Sequence, residues 1–222
     1  MTVAALILPA SAEEALTRID GRPLVRRLVD AAWSGGAVPV MVAVADPAGD
    51  VAAALAGAPA TLVPPSDLVG GVEAAVREVS ETDAVMVWPT AYAWVDPETL
   101  TSLIEAHGVT LDAVLRPSYD GLAGWPVLLP VGVVPGSPDR PTDQTLEAAL
   151  AAIEAPVHLL DLGDPGAVHD VRTPRADLPR YRGPAGPAGA AHEWGSLAAE
   201  EPDAPALEGP AVAPFGAAMD PD

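Results

Sequence analysis

The apolar run Val3-Ala-Ala-Leu-Ile-Leu8, followed by Pro9, decides the fold. Consecutive apolar residues without alternation are typical of a strand buried on both faces, as in the parallel sheets of α/β proteins. The run is short and has no basic flank, so we interpret it as a strand rather than a signal peptide. We therefore expect a central strand here.

Further apolar runs follow along the chain, and segments with helical spacing separate several of them. This alternation predicts right-handed crossovers and a three-layer, Rossmann-like α/β fold with a mostly parallel sheet. Ligands of such sheets bind beyond the carboxyl ends of the strands, here after Leu8, Val63, Trp88 and Arg116. The predicted strands after the first are Val38–Val44, Ala60–Val63, Ala84–Trp88, Asp112–Arg116, Pro126–Leu129, Val157–Leu160 and Ala167–Val171.

Helices are predicted from apolar spacing and from capping residues. Asp46-Pro47 and Asp96-Pro97 place Pro in a first helical turn, and Gly35-Gly36 ends a helix. Ser66 or Asp67 is expected to cap a helix that runs to about Val79, and Thr142 or Asp143 to cap another. The predicted helices are Leu24–Trp33, 46–55, 66–79, 96–107, Thr142–Ile153 and one beginning at Thr173-Pro174.

Composition excludes several kinds of chemistry. The 222 residues include no Cys and no Lys, and the net charge is -20. Disulfides, thiolate metal sites, Schiff-base lysines and P-loop lysines are therefore excluded. The negative charge argues against nucleic acid or an anionic membrane as a partner, because both need clustered positive charge. The absence of Cys fits a reducing compartment, and we expect a cytoplasmic protein.

The last part of the chain has a different composition. Residues 183–222 are mostly Gly, Ala and Pro with scattered acidic residues, and they lack apolar periodicity. Such a segment buries too little apolar surface to offset the entropy lost on ordering. We expect a folded domain over residues 1–182 and a disordered acidic tail over residues 183–222.

Four segments, in order, resemble the MobA-like nucleotidyltransferases, and in particular the molybdenum-cofactor cytidylyltransferases. They are Gly21-Arg-Pro-Leu24, Val95-Asp-Pro-Glu-Thr-Leu100, Tyr119-Asp-Gly-Leu-Ala-Gly-Trp-Pro-Val-Leu128, and Asp164-Pro-Gly-Ala-Val-His-Asp170 with the residues to Leu178. The resemblance covers about residues 3–181 and implies a GT-A-like nucleotidyltransferase fold. It also implies transfer of CMP or GMP from CTP or GTP to a phosphate of a molybdopterin-type acceptor. Such transfer needs a phosphate cradle and Mg²⁺ held by Asp residues.

The phosphate loop of this chain departs from the family pattern. The family's glycine-rich loop with Arg and Lys is replaced by Leu8-Pro-Ala-Ser-Ala-Glu-Glu-Ala-Leu16, and Glu14 aligns with the family's Lys. Ala10 and Ser11 remain as loop candidates for nucleotide binding, and Arg18 is the nearby cation. Ser66 and Asp67 partly match the family's base-reading stretch, although a capped helix explains them equally well.

The metal-binding positions are also changed. By the resemblance, the family's first metal-binding Asp falls on Ala91, which has no oxygen side chain. Asp170 corresponds to the second metal-proximal Asp, and the next Asp position is Arg172. Asp170 is therefore the metal candidate, and Asp96 is interpreted as a helix cap. We expect Mg²⁺ if the protein is active and otherwise no cofactor.

Aromatic residues surround the altered metal position. The pocket candidates are Ala91, Tyr92, Tyr119, Gly124 and Trp125, which would line a site for a heterocyclic or pterin-type ligand. Packing in the core and at its rim is the alternative explanation.

Three hypotheses remain open. The chain is an active, divergent nucleotidyltransferase that uses Arg18 and Asp170, or a non-catalytic relative that binds a ligand or a protein in cofactor maturation. The third hypothesis is an interaction module in which the acidic tail binds a protein partner.

Overall fold

The computed structural model describes residues 1–65, 67–78, 81–134 and 145–184. The strands in these residues are β1 (Val3–Leu8), β2 (Arg18–Ile19), β3 (Arg22–Pro23), β4 (Val40–Ala43), β5 (Ala60–Val63), β6 (Ala84–Pro89), β7 (Val114–Tyr119), β8 (Leu122–Ala123), β9 (Val127–Pro130) and β10 (Val157–Asp161). The helices are α1 (Ala12–Leu16), α2 (Leu24–Ser34), α3 (Asp50–Ala54), α4 (Leu68–Glu78), α5 (Pro97–His107) and α6 (Leu146–Ala151).

The main sheet has the order β10-β7-β9-β6-β1-β4-β5, with β8 paired to β7. The pairs β1–β4, β1–β6, β4–β5 and β7–β10 are parallel, while β9 is antiparallel to both of its neighbours. The expected α/β fold with a mostly parallel sheet is therefore confirmed. β2 and β3 form a separate two-stranded hairpin.

β1 lies at the centre of the sheet and is buried on both faces. Ala5 and Ile7 point into one core with α2 and α5, and Ala4 and Leu6 point into a second core with α4 and α6. This two-sided burial explains the unbroken apolar run, because neither face of the strand meets water. Helices on both faces of the sheet give the three layers.

Two helices on one face approach each other closely at Gly35. A Cβ atom built at Gly35 would lie 2.6 Å from Cβ of Leu100 and 2.9 Å from the carbonyl oxygen of Pro97. Glycine therefore ends α2 at a point where α2 and α5 have no room for a side chain. The sequence pattern indicates only that Gly35 ends a helix, and not that a second helix packs against it.

Several predicted elements differ from the structure. Residues 167–171 are not a strand: a short 3₁₀ turn spans Pro165–Ala167 and loop follows it. The helix predicted from Thr173 is only a 3₁₀ turn over Arg175–Asp177. These segments obtain their order from contacts with the rest of the domain rather than from local periodicity. α3 begins at Asp50, later than predicted, and α1 was not predicted.

Two other predictions concern residues that are described only in part. Thr145 caps α6, whereas the predicted caps Thr142 and Asp143 lie outside the described residues. Almost all of the predicted tail, from residue 185 onward, also lies outside them, so the tail stays a prediction. Within the described ranges, no helix has the length and apolar character needed to cross a membrane.

Candidate functional site

The carboxyl ends of β1 and β6 bring the candidate site together. Leu8 pairs with Pro89, and Thr90 donates its backbone N–H to the Leu8 carbonyl at 3.3 Å. Val171 donates its backbone N–H to the carbonyl oxygen of Ala91 at 2.8 Å. The β1 loop, the β6 loop and the late segment around Asp170 therefore meet at one edge of the sheet.

The loop after β1 carries its own carboxylate. Ser11 caps α1 by accepting the backbone N–H of Glu14 on its Oγ at 3.1 Å. Glu14 turns back and accepts the backbone N–H of Ala10 on Oε2 at 2.6 Å. This reciprocal arrangement resembles a capping box and places negative charge beside the loop.

Arg18 is engaged within the β2–β3 hairpin. Its guanidinium donates to the carbonyl oxygen of Gly21 at 2.7 Å. The turn between the strands contains Asp20 at φ 51° and Gly21 at φ 78°. Both residues lie in the left-handed region, which Gly adopts freely and Asp tolerates. The hydrogen bond therefore holds the Arg18 side chain against its own turn.

Asp170 and Arg172 form an ion pair next to Ala91. Arg172 donates its backbone N–H to one oxygen of Asp170 at 3.0 Å and its Nε to the other at 2.7 Å, with a further contact from Nη2. These hydrogen bonds lower the pKa of Asp170, the side-chain bond from Arg172 being the main cause. Both carboxylate oxygens thus already accept hydrogen bonds from Arg172.

A second Asp, at the start of the resembling segment Asp164–Asp170, joins the late segment to α5. Asp164 is 2% exposed and accepts the backbone N–H of Asp96 and the hydroxyl of Thr99 on Oδ2, at 2.9 and 2.7 Å. Its Oδ1 accepts the N–H of Gly166 at 2.8 Å. Burial raises the pKa of Asp164, and these three hydrogen bonds partly oppose that effect. Asp164 therefore fastens the loop after β10 to the start of α5.

Asp96 caps α5, as expected, by accepting the backbone N–H of Glu98 at 3.0 Å. Close packing lies immediately behind this cap. A Cβ atom at Gly166 would lie 2.3 Å from the carbonyl oxygen of Trp94, so only Gly fits there. The Gly in the Asp164-Pro-Gly segment is thus required by the approach of two backbones.

The aromatic candidates lie at different depths. Trp88 is fully buried and donates its indole N–H to the carbonyl oxygen of Tyr92 at 2.9 Å. Tyr92 is half-buried, with its ring centroid 6.1 Å from that of Trp125. Trp125 is 5% exposed, and the guanidinium of Arg116 lies 5.2 Å from its ring centroid. Trp125 therefore packs mainly into the core, and Tyr92 is the more accessible of the pair.

Tyr119 and Gly124 both contact segments that follow β10. Arg182 places its guanidinium 4.6 Å from the ring centroid of Tyr119 and donates to Asp120 at 2.8 Å. A Cβ atom at Gly124 would lie 2.5 Å from the carbonyl oxygen of Ala167. Tyr119 and Gly124 are therefore packed against other residues of the domain. A ligand-binding role for either residue stays a prediction.

The base-reading candidates lie near the end of β5. Asp67 accepts the backbone N–H of Gly70 at 2.8 Å and so caps the first turn of α4, while Ser66 lies outside the described residues. A cavity of about 480 Å³ opens at the carboxyl ends of β4 and β5. Its lining residues include Val44, Asp46, Gly49, Leu62 and Pro64.

Comparison with models of known protein families shows which family the chain belongs to. The family model described as the MobA-like NTP transferase domain matches residues 11–157. The chain belongs to this family. A search of curated proteins found no match. Structural comparison agrees with the family, because the most similar solved folds include nucleotidyltransferases.

Three solved structures illustrate the fold. The Rv0371c protein of Mycobacterium tuberculosis, solved as a manganese complex, superposes with a TM-score of 0.58 at 19% identity, over 80% of this chain and 98% of that chain. The 2-C-methyl-D-erythritol 4-phosphate cytidylyltransferase of Thermus thermophilus gives 0.53 at 20% identity, over 80% and 96% of the two chains. A 4-diphosphocytidyl-2C-methyl-D-erythritol synthase gives 0.55 at 16% identity, over 79% and 94%.

The Mg²⁺ implied by the MobA-like resemblance can be tested against the residues at its site. Ala91 offers only a carbonyl oxygen, which already accepts the N–H of Val171, and Asp170 is paired with Arg172. The described residues contain no group of three or more His, Asp or Glu side chains that could hold a metal ion. Mg²⁺ takes octahedral oxygen coordination, and proteins usually supply one or two free carboxylates to it beside waters and substrate phosphates. The side chains present do not fit that requirement.

Proposed function

We propose that this MobA-like protein has lost metal-dependent nucleotidyl transfer and acts as a binding protein in the maturation of a molybdopterin-type cofactor. The observation that carries the proposal is the ion pair between Arg172 and Asp170, which flanks the backbone hydrogen bond from Val171 to Ala91. The molybdopterin assignment rests on the resemblance of Tyr119–Leu128 and of the segment from Asp164 to Leu178. A cytoplasmic location forms part of the same proposal.

The chemistry of transfer explains why this pair matters. A triphosphate carries several negative charges. Enzymes that transfer a nucleotide neutralise these charges with metal ions and basic side chains as the bond to the leaving pyrophosphate breaks. Here the Arg172 guanidinium forms an ion pair with the carboxylate of Asp170, which would otherwise face the metal ion. Losing one such stabilising group typically costs about 10²–10³ in rate. The changed metal position and the changed phosphate loop together support the proposal that the protein no longer catalyses nucleotidyl transfer at a useful rate.

Glu14 adds a second obstacle at the phosphate loop. Its carboxylate accepts a hydrogen bond from the backbone N–H of Ala10 and places a negative charge where the family pattern has Lys. Unit charges about 4 Å apart interact by about 4 kcal/mol at an effective dielectric of 20. A triphosphate approaching this loop would be repelled rather than cradled.

A direct test is calorimetric titration of CTP and GTP into the full-length protein, once with Mg²⁺ and once with EDTA. We expect no Mg²⁺-dependent gain in affinity for either nucleotide. Micromolar binding that requires Mg²⁺ and disappears in Asp170→Ala would overturn the proposal. A pterin added with EDTA tests the alternative ligand, and we expect Tyr92→Ala to weaken any such binding.

One observation favours the active alternative. The hydrogen bond from Val171 to Ala91 places Asp170 beside the β6 loop, as a metal-proximal Asp requires. An active, divergent transferase would then use Asp170 and Arg18 with a divalent ion, after Arg172 turns away. The manganese complex of the M. tuberculosis protein makes Mn²⁺ the ion to try beside Mg²⁺. The titration above separates the two functions.

A further inference from the structure

Positive charge gathers around the β2–β3 turn, although the whole chain is strongly acidic at a net charge of -20. Arg27 from α2 and Arg175 from the late 3₁₀ turn each place Nη1 3.7 Å from Oδ2 of Asp20. Arg22 of β3 lies 3.7 Å from Asp30. The adjacent elements β3 and α2 and the distant 3₁₀ turn therefore bring arginines to one surface, which we call the arginine cluster (Arg22, Arg27 and Arg175).

The nearby carboxylates do not balance this cluster. Asp30 also binds Arg26, at the shorter distance of 3.0 Å, so Arg22 shares its partner. Asp20 serves both Arg27 and Arg175 at distances beyond a good hydrogen bond. Two aspartates, Asp20 and Asp30, thus serve as ion-pair partners for four arginines: Arg22, Arg26, Arg27 and Arg175. The nearness of Arg175 and Arg22 helps lower the pKa of Arg27, after the larger effect of burial.

Arg27 is held in place for binding. Its Nε donates to the carbonyl oxygen of Ala93 at 2.9 Å, and its guanidinium lies 5.1 Å from the ring centroid of Trp94. Trp94 is itself fixed by an indole hydrogen bond to the carbonyl oxygen of Thr173 at 3.1 Å. A guanidinium already fixed on one side loses little entropy when its other side binds an anion.

The other two members remain open to solvent. The side chains of Arg22 and Arg175 are 69% and 62% exposed, and that of Asp20 is 57% exposed. An incoming anion can therefore reach both guanidinium groups without unfolding any element. Arginine's planar fork matches the oxygens of phosphate in a two-point contact.

We propose that the arginine cluster binds the phosphate or pyrophosphate group of a small ligand without a metal ion, with Asp20 as an internal competitor. The ligand's oxygens would take the place of the Asp20 carboxylate between Arg27 and Arg175. This site goes beyond the proposed loss of transfer, because it uses neither the phosphate loop nor Asp170. It would serve an inactive chain and an active one alike.

The test is calorimetry with sodium pyrophosphate on the full-length protein in EDTA at low ionic strength. We expect Arg175→Gln to weaken binding about tenfold, as the loss of a charge-assisted hydrogen bond does. Asp20→Asn should strengthen binding, since Asn tolerates the left-handed backbone and removes the competing charge. The control Arg77→Gln makes the same charge change on α4 and should leave the affinity unchanged.

Other outcomes would overturn the site. No binding at millimolar pyrophosphate, binding that requires Mg²⁺, or equal affinity in wild type and Arg175→Gln would each do so. Arg175 is exposed, so its replacement does not endanger folding. CTP in EDTA separates the sources of the anion: tighter binding than pyrophosphate supports a nucleotide, and equal binding supports the inorganic ion. Mg²⁺-dependent CTP binding, measured separately, would count against the proposed loss of transfer and not against this site.

Discussion

The carboxylate of Glu14 accepts the backbone N–H of Ala10 at 2.6 Å, across the loop that follows the first strand. In the MobA-like pattern this position is a Lys, which would attract a phosphate. The side chain here does the reverse: it satisfies a loop donor internally and adds a negative charge. We therefore expect the Glu14 carboxylate to disfavour anion binding at this loop.

Replacing Glu14 with Gln should open the loop to anions. The amide oxygen can still accept the N–H of Ala10, so we expect the free energy of unfolding to change by less than about 1 kcal/mol. In the Arg175→Gln background, in which the arginine cluster is weakened, removing the Glu14 charge should raise the affinity for pyrophosphate several-fold in calorimetry. The control is Glu13→Gln, at an exposed neighbouring position. An equal gain in both variants would mean that general charge, and not the contact with Ala10, controls binding.

Metal binding should be recoverable by reversing two substitutions. The double variant Ala91→Asp, Arg172→Asp supplies a carboxylate at the β6 loop and frees Asp170 from its partner. We expect this variant to bind Mn²⁺ in calorimetry, and Ala91→Asp alone to bind it more weakly because Arg172 still holds Asp170. A folded double variant without Mn²⁺ binding would show that the backbone no longer presents the carboxylates together.

Gly124 should matter more for the stability of the fold than for ligand binding. An added Cβ would meet the carbonyl oxygen of Ala167 at 2.5 Å, so Gly124→Ala should lower the free energy of unfolding by about 1–3 kcal/mol. Gly132→Ala is the matched control, because nothing lies within 4 Å of its Cβ position. Urea denaturation of both variants measures the difference. A neutral Gly124→Ala would contradict the close approach.

Two buried threonines should respond differently to replacement by Val. Thr99 donates its hydroxyl to Asp164 at 2.7 Å, so Thr99→Val should lower the free energy of unfolding by about 1–3 kcal/mol. The Thr90 hydroxyl is buried and has no hydrogen-bond partner in the part of the chain that the structure describes. Thr90→Val should therefore be neutral or stabilising. Thermal unfolding measures both, and equal losses would disprove the contrast.

The pH dependence of stability should report the buried carboxyl of Asp164. Because its pKa is raised in the folded state, the folded protein binds this proton more tightly than the unfolded chain does. Its contribution is therefore fully present below the unfolded pKa of about 3.9, and is lost as pH rises through the folded value. The stability of wild type relative to Asp164→Asn should increase as pH falls. A difference that stays constant over pH 3–7 would contradict the raised pKa, since one proton changes stability by up to about 1.4 kcal/mol per pH unit.

The sequence was sufficient for the core of the fold but not for its closing segment. β1 and β6 are buried on both faces, so their apolar runs were informative. Residues 164–178 are ordered by single contacts instead, such as the fit of Gly166 against Trp94. No periodic pattern records such contacts, and the strand and helix predicted there were wrong.

Changes of residue type at the candidate site are visible in the sequence, whereas the new hydrogen-bond partners of its side chains are not. The missing carboxylate at Ala91 follows directly from comparison with the family pattern. The turn of Glu14 toward Ala10, and the gathering of Arg22, Arg27 and Arg175, depend on side-chain directions and on contacts between distant segments. The charge of each residue was visible in the sequence, but its neighbours were not.

The hydrogen bond from Val171 to Ala91 has a consequence for the order in which the protein is made. β1, β4, β5 and β6 leave the ribosome early and can begin to pair, but the edge beside Ala91 stays open until residue 171 has followed. Asp164, which reaches α5, is made shortly before residue 171, and Arg182, which reaches Asp120, is made after it. A nascent chain therefore carries a nearly complete sheet with an unfinished rim, and folding of the candidate site is completed only after the segment that ends at Arg182 has been made.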